Sequence, residues 1–246
     1  MIAYNTDIFS GKDNDMKIPK IIHQVWSGID EPLPEQFRIF GETWKEHHPQ
    51  WEYKYWDNQM MIDFIHKYYP QYWDVYNSYQ YNVQRWDAIR YLILYKMGGM
   101  YVDFDAECLE PHDKLLNNKE CCFSIEPEEH ARRFNKQLYF NNALMASVPE
   151  HPFMKKVIEK AFDYKPTNRL HHKLIEILTT TGPLMIVDLY ENYDNKESIS
   201  LIESKYVSPL TNYEVQRIIR GEESDELEEK IKDAYSIHYF FNTWVK

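Results

Sequence analysis

The chain has 246 residues, 43% of them hydrophobic and 16% aromatic, with a formal charge of −11. That length supports one sizeable core, read as a single domain over residues 1–246. The acidic balance excludes general nucleic-acid binding, which needs clustered Lys and Arg to neutralise phosphates, so a phosphate-bearing ligand would need a cation beside it.

Residues 1–20 are polar and mixed in charge, with no apolar signal segment, and no uninterrupted apolar run is long enough to span a bilayer. The expectation is a cytoplasmic protein. The β-branched run 20–26, between Pro19 and Ser27-Gly28, predicts a buried strand. Pro34 suits the first position of a helix with Phe37, Phe40 and Trp44 on one face, closed by Pro49. Residues 51–56 alternate as a second strand, and Asp57 caps a helix carrying Met61, Phe64, Ile65 and Tyr68.

After the aromatic stretch 68–81, Asn82 is expected to cap a helix that runs to Met97 and stops at a left-handed Gly98. Trp86, Ile89, Ile93 and Met97 give that helix a core face. Residues 99–105 read as a strand ending in Asp103 and Asp105. Alternating strands and helices predict an α/β fold with a mainly parallel central sheet flanked by helices, in which ligands bind beyond the carboxyl ends of strands.

The second half is less regular. Residues 121–125 and 138–147 add strands, Pro152 opens a helix through Phe162, and the acidic run 222–229 reads as a solvated helix face. Residues 234–241 form a strand carrying His238, followed by Trp244. Of three cysteines, Cys121 and Cys122 are adjacent, their Cα atoms about 3.8 Å apart and too close for ordinary disulfide geometry. Cys108 lies outside any CxxC spacing, so neither a disulfide framework nor a cysteine metal site is expected.

Residues two apart on an extended strand face the same side, so Asp103 and Asp105 can present both carboxylates to one ligand. Hard oxygen ligands of this kind favour Mg²⁺ or Mn²⁺. A bare Asp-x-Asp is common and, taken alone, reads first as a turn with solvated carboxylates. The preceding helix adds Asp87, Arg90 and Tyr91 at i, i+3 and i+4, a charged patch on an apolar helix, either an internal ion pair or part of a ligand site.

Arg85-Trp86-Asp87-Ala88-Ile89-Arg90-Tyr91, followed by Gly98-Gly99-Met100-Tyr101-Val102-Asp103-Phe104-Asp105, resembles the sugar-binding region containing the DXD motif of glycosyltransferase family 32. That family includes yeast initiating mannosyltransferases, bacterial capsular and lipopolysaccharide enzymes, and relatives of the clostridial glucosylating toxins. Ile21-Ile22-His23-Gln24-Val25-Trp26, Asn142-Ala143-Leu144, His151-Pro152-Phe153, Thr181-Gly182-Pro183, His238 and Trp244 extend the resemblance over most of the chain.

The resemblance implies a GT-A fold and retaining transfer of a hexose from a UDP- or GDP-sugar. The acceptor would be a saccharide or glycolipid, in capsular or lipopolysaccharide synthesis, with peripheral membrane association through that acceptor. It also implies roles. Asp105 would bind Mn²⁺ or Mg²⁺ directly, and Asp103 would contact donor ribose and sugar hydroxyls and reach the metal through water. Asp87 and Arg90 would hold the sugar and its phosphate end, with Tyr91 beside them. Trp26 would stack on the base, unless it is an ordinary core residue; Asn142 would touch the sugar, unless it is a buried capping residue. His238 would complete the metal shell.

No residue identifies itself as a nucleophile, which favours a same-face route assisted by the departing phosphate. Two other readings compete. A haloacid dehalogenase type phosphohydrolase also uses Asp-x-Asp at a strand end, although here Ala106-Glu107 follows it. The abundant aromatics also suit a non-catalytic sugar-nucleotide or carbohydrate-binding module.

Overall fold

A computed structural model of the chain describes residues 16–165 and 172–241. In chain order its elements are β1 (Ile21–Val25), α1 (Glu35–His47), β2 (Glu52–Trp56), α2 (Asn58–Tyr68), α3 (Trp73–Ser78), α4 (Asn82–Met97), β3 (Gly99–Val102), β4 (Ala106–Cys108), α5 (Asp113–Leu116), β5 (Cys121–Ile125), α6 (Glu128–Arg133), β6 (Phe140–Ser147), α7 (Pro152–Ala161), α8 (Lys173–Thr180), α9 (Pro183–Glu191), β7 (Ser200–Ile202), α10 (Ser204–Val207), α11 (Asn212–Ile219), α12 (Asp225–Ile231) and β8 (Ser236–His238).

The main sheet has the order β2-β1-β3-β6-β5-β7. β1 runs parallel to β2 and β3, and β5 parallel to β7, whereas β6 is antiparallel to both its neighbours. The sheet is therefore mainly parallel, with one reversed strand. Alternation along the central strands sends Tyr101, Phe123 and Met145 into a core shared with α4, α7 and α9, and Met100, Val102, Leu144 and Ala146 into a second core around Trp44 of α1. Helices on both faces explain why β3 and β6 are buried along their whole length.

Local chemistry sets the element ends. The Asp57 carboxylate accepts from the Met60 N–H at 2.8 Å and starts α2. Three expectations shift. Pro34 precedes α1 rather than opening it. Tyr81, not Asn82, is the residue before α4; its N–H donates to Gln84 at 3.0 Å, while Asn82 donates to Asp30 at 2.9 Å. Gly98 ends α4 at φ 64, ψ −164, outside the left-handed helical well.

The glycine pair has a steric cause. A Cβ on Gly98 would lie 2.7 Å from Pro149, and one on Gly99, at φ 99, would lie 2.5 Å from the Ile21 carbonyl. β3 can thus sit tight against β1. Beneath the pair, His23 donates from Nε2 to the Gly98 carbonyl at 2.9 Å and accepts the Trp56 indole N–H on Nδ1 at 3.2 Å. Burial lowers this imidazole to about 4.

A second sheet pairs β4 with β8, Ala106 opposite His238. Among the described residues no helix is long and apolar enough to cross a membrane. Of the acidic run, residues 222–224 precede α12 and 225–229 lie on it, where the acids are exposed while Leu227 is buried. Trp244 lies outside the described residues.

Candidate active site

The expected strand ending at Asp105 is shorter: β3 stops at Val102, and Asp103, Phe104 and Asp105 form a turn closed by the Ala106 N–H on the Asp103 carbonyl at 3.2 Å. The two carboxylates share a side because the chain turns back into β4, and their neighbours fix them there. Arg90 Nη1 at 3.0 Å and the Tyr101 hydroxyl at 2.5 Å both donate to Asp103 Oδ1, which leaves the other oxygen for a ligand. Asp105 takes the Phe241 N–H on Oδ2 at 3.0 Å, and its Oδ1 lies 3.2 Å from His238 Nε2.

Asp103, Asp105 and His238 place one ligand atom each within 4.8 Å of one another. Two carboxylates and an imidazole suit Mn²⁺ and, through the oxygens, Mg²⁺. Burial raises the Asp103 carboxyl, against the pull of Arg90. Burial would raise Asp105 as well, but His238 and the backbone N–H hold it low. For His238, burial favours the neutral ring and the Asp105 charge overrides it, so its affinity for a proton rises.

A layer lies behind the turn. Asp87 is buried, 3.3 Å from Arg90, and accepts from Asn142 Nδ2 at 2.9 Å and Thr181 Oγ1 at 3.0 Å. Burial pushes its carboxyl up to about 6 in spite of those donors. Arg90 lies over the Tyr101 ring at 4.4 Å and donates to the Asn142 carbonyl at 3.0 Å, which fixes the guanidinium between two carboxylates and an aromatic face.

These groups floor a cavity of about 410 Å³. Trp26, Asp87, Arg90, Asp103, Asp105, Asn142 and His238 all line it. Tyr91 does not. It is fully buried, donating to the Thr181 carbonyl at 2.5 Å and accepting from Asn142 at 2.8 Å, and so supports the lining from behind. Asn142 makes bonds to both Asp87 and Tyr91, beyond any capping role. Trp26 is half-buried at the cavity wall, edge-on to Phe37 at 5.5 Å, its indole N–H donating to the Glu31 carbonyl at 3.0 Å.

Sequence reasoning missed Tyr101, Thr181, Asn141 and Glu126. The Thr181-Gly182-Pro183 turn carried a signal for one of them: Pro183 starts α9 and leaves Thr181 facing Asp87. A second cluster, His48, Cys108 and His112, lies under Trp44. The His48 ring is already committed, Nε2 accepting the His112 N–H at 2.9 Å and Nδ1 facing the Trp44 carbonyl at 3.0 Å.

The sheet order, the reversed strand and the acidic turn beyond β3 define a GT-A glycosyltransferase fold. Solved structures share it: PaToxG glycosyltransferase (TM-score 0.53, 16% identity, 89% of this chain and 85% of that one) and the glycosyltransferase domain from the YGT toxin, ligand-free (0.52, 9%, 88% and 89%) and UDP-bound (0.50, 8%, 88% and 89%).

Residues 34–123 match the model of the glycosyltransferase sugar-binding region containing the DXD motif, so the chain is similar to glycosyltransferases of the family 32 type. Inositol phosphoceramide mannosyltransferase 1 of Schizosaccharomyces pombe is 32% identical over 174 residues (69% of this chain, 50% of that protein). Mannosyl phosphorylinositol ceramide synthase CSH1 of Saccharomyces cerevisiae is 35% identical over 176 residues (72% and 43%). The chain thus spans about half the length of these curated relatives. An uncharacterized glycosyltransferase, L373, of Acanthamoeba polyphaga mimivirus is 28% identical over 202 residues (80% and 75%).

Proposed function

We propose that the chain is a metal-dependent, retaining glycosyltransferase that moves a hexose from a nucleoside diphosphate sugar to a saccharide or glycolipid acceptor. One observation carries this reading: Asp103, Asp105 and His238 converge within 4.8 Å on the floor of a cavity that Trp26 also lines. The names of the yeast relatives favour mannose as the sugar and an inositol phospholipid as acceptor. Such an acceptor is met by peripheral association with a membrane.

A divalent ion held by Asp105, Asp103 and His238 would offset the negative charge on the departing diphosphate. The residues themselves bind and orient. Trp26 offers its ring to the base, and the unbonded oxygen of Asp103 accepts from donor hydroxyls. Arg90, pinned by Asp103, Asp87 and Tyr101, sets a fixed positive charge at the phosphate end without reorganising. Asp87 works through Arg90 and Asn142. Among the described residues no carboxylate adjoins the DXD turn in a way that marks it as a nucleophile, which supports same-face transfer with the proton of the acceptor hydroxyl passing to the leaving phosphate.

Melting shifts with GDP and UDP sugars, with and without Mn²⁺, test the reading. A donor at a hundred times its dissociation constant adds about 2.7 kcal/mol. A shift that needs both metal and one of the two bases is expected; no metal-dependent shift with either would overturn it.

A further inference from the structure

The sheet order ranks the functional side chains along one edge. β1, β3 and β5 all point their carboxyl ends the same way, and antiparallel β6 starts at that edge. Read across β1-β3-β6-β5, the residues at that edge are Trp26, Asp103, Asn141 with Asn142, and Glu126 just past β5. All line the same cavity. With the base at Trp26 and the diphosphate at Asp103 and Asp105, the transferred sugar is laid towards β6. This step rests on the donor reading above. The far end, at Glu126, is then where the acceptor arrives.

Glu126 is built as a binding group. Its N–H donates to the Tyr139 carbonyl at 3.0 Å, which fixes the backbone. His130, one helical turn on, donates from Nδ1 to Glu126 Oε2 at 2.5 Å. The Asn212 backbone N–H points at His130 Nε2 at 3.3 Å, and a backbone N–H can only donate, so the ring proton sits on Nδ1 and the imidazole is committed on both nitrogens.

Glu126 is 8% exposed, and among the described residues no Lys or Arg pairs with it. A buried carboxylate held by a single imidazole is costly unless its remaining acceptor capacity is used. Phe134, Tyr139 and Phe240 line the cavity around it, apolar faces that suit the C–H side of a sugar or cyclitol ring.

We propose that Glu126, oriented by His130 and flanked by Phe134 and Phe240, forms the acceptor subsite and takes a hydroxyl of a polyol ring on the oxygen that His130 leaves free.

The test uses the whole chain with Mn²⁺, the nucleotide sugar selected by the melting shifts, and methyl α-mannoside or myo-inositol as acceptor. The readout is the fraction of consumed donor that ends on the polyol rather than as free sugar, which does not depend on how much of the sample is folded. Glu126→Gln is expected to lower that fraction at least about tenfold and to raise the acceptor KM, the size expected when a hydroxyl loses its bond to a charged oxygen. The donor KM and the nucleotide melting shift should stay as they are. Glu126→Asp, which keeps the charge but withdraws it, should fall between.

An unchanged fraction in Glu126→Gln would overturn the proposal, as would a loss of transfer and hydrolysis in step with a rising donor KM. Wild-type protein that hydrolyses donor yet glycosylates neither polyol would overturn the polyol assignment. Wild-type protein with no metal-dependent nucleotide shift would overturn the donor reading first, and this subsite with it.

Discussion

His23 couples the packing of β3 against β1 to pH. Its Nδ1 accepts the Trp56 N–H, so a second ring proton would face a donor inside a buried site, and burial holds the imidazole at about 4 against an ordinary 6.5. Between those values the unfolded chain binds the proton and the folded chain does not. Stability from this group is therefore complete above pH 6.5 and lost as pH falls towards 4. The full difference is about 3 kcal/mol, of which about 2 kcal/mol is gone at pH 5. His112, lowered by burial to about 3, adds a slope of the same sign.

Urea unfolding of wild type and His23→Gln at pH 8, 7, 6 and 5 separates the two. Gln keeps a donor for Gly98 and takes no charge, so the variant should be less stable than wild type at pH 8. The gap should narrow by about 2 kcal/mol at pH 5, His112 cancelling in the comparison. A gap that stays constant across this range would refute the reasoning.

Asp105→Asn should abolish transfer and the Mn²⁺-dependent nucleotide shift while the fold persists, since Asn can still accept the Phe241 N–H; full activity would remove Asp105 from the metal site. His238→Ala should weaken Mn²⁺ in a titration with nucleoside diphosphate present, and an unchanged dissociation constant would reject ligation. Trp26→Ala should weaken donor and free nucleotide alike by about 1–3 kcal/mol, because stacking is made equally in ground and transition states; lost stability with unchanged nucleotide affinity would make it a core residue. Tyr101→Phe removes one of two donors on Asp103 Oδ1 and should weaken metal-dependent nucleotide binding about tenfold or more, as for a hydrogen bond to a charged group; calorimetry with Mn²⁺ and GDP reads it directly.

The first half of the fold was legible because its signals are local. Apolar spacing, the Asp57 cap and the glycine pair mark β1 to β3 within a few residues each. Asp87 and Arg90 were visible for the same reason, as neighbours on one turn of α4. What stayed hidden depends on distant pairing. The reversal of β6 between β3 and β5 leaves no mark in its own residues, yet it sets which side chains meet at the sheet edge. Nothing in the sequence marks the Tyr101 hydroxyl as a partner of Asp103; the structure shows it donating to that carboxylate. Asp103, Phe104 and Asp105 continue the alternation of β3, so the sequence by itself reads the turn as strand. Glu126 and His130 sit four apart, but neither residue type nor spacing distinguishes them from a solvated helix start.

The pairing of β4 with β8 has a further consequence. Asp105 and His238 come together at the end of a two-stranded ladder of three residue pairs, extended by the Tyr239 N–H on the Asp105 carbonyl and the Phe241 N–H on its carboxylate, after a long excursion of the chain. So small a ladder opens at low cost, and each opening separates Asp105 from His238. A cation and nucleotide that engage both sides would act as a clasp on that excursion. Amide protons of residues 236–241 should then exchange with deuterium much more slowly when Mn²⁺ and nucleoside diphosphate are bound, while those of β3 and β6, protected by the core, change little.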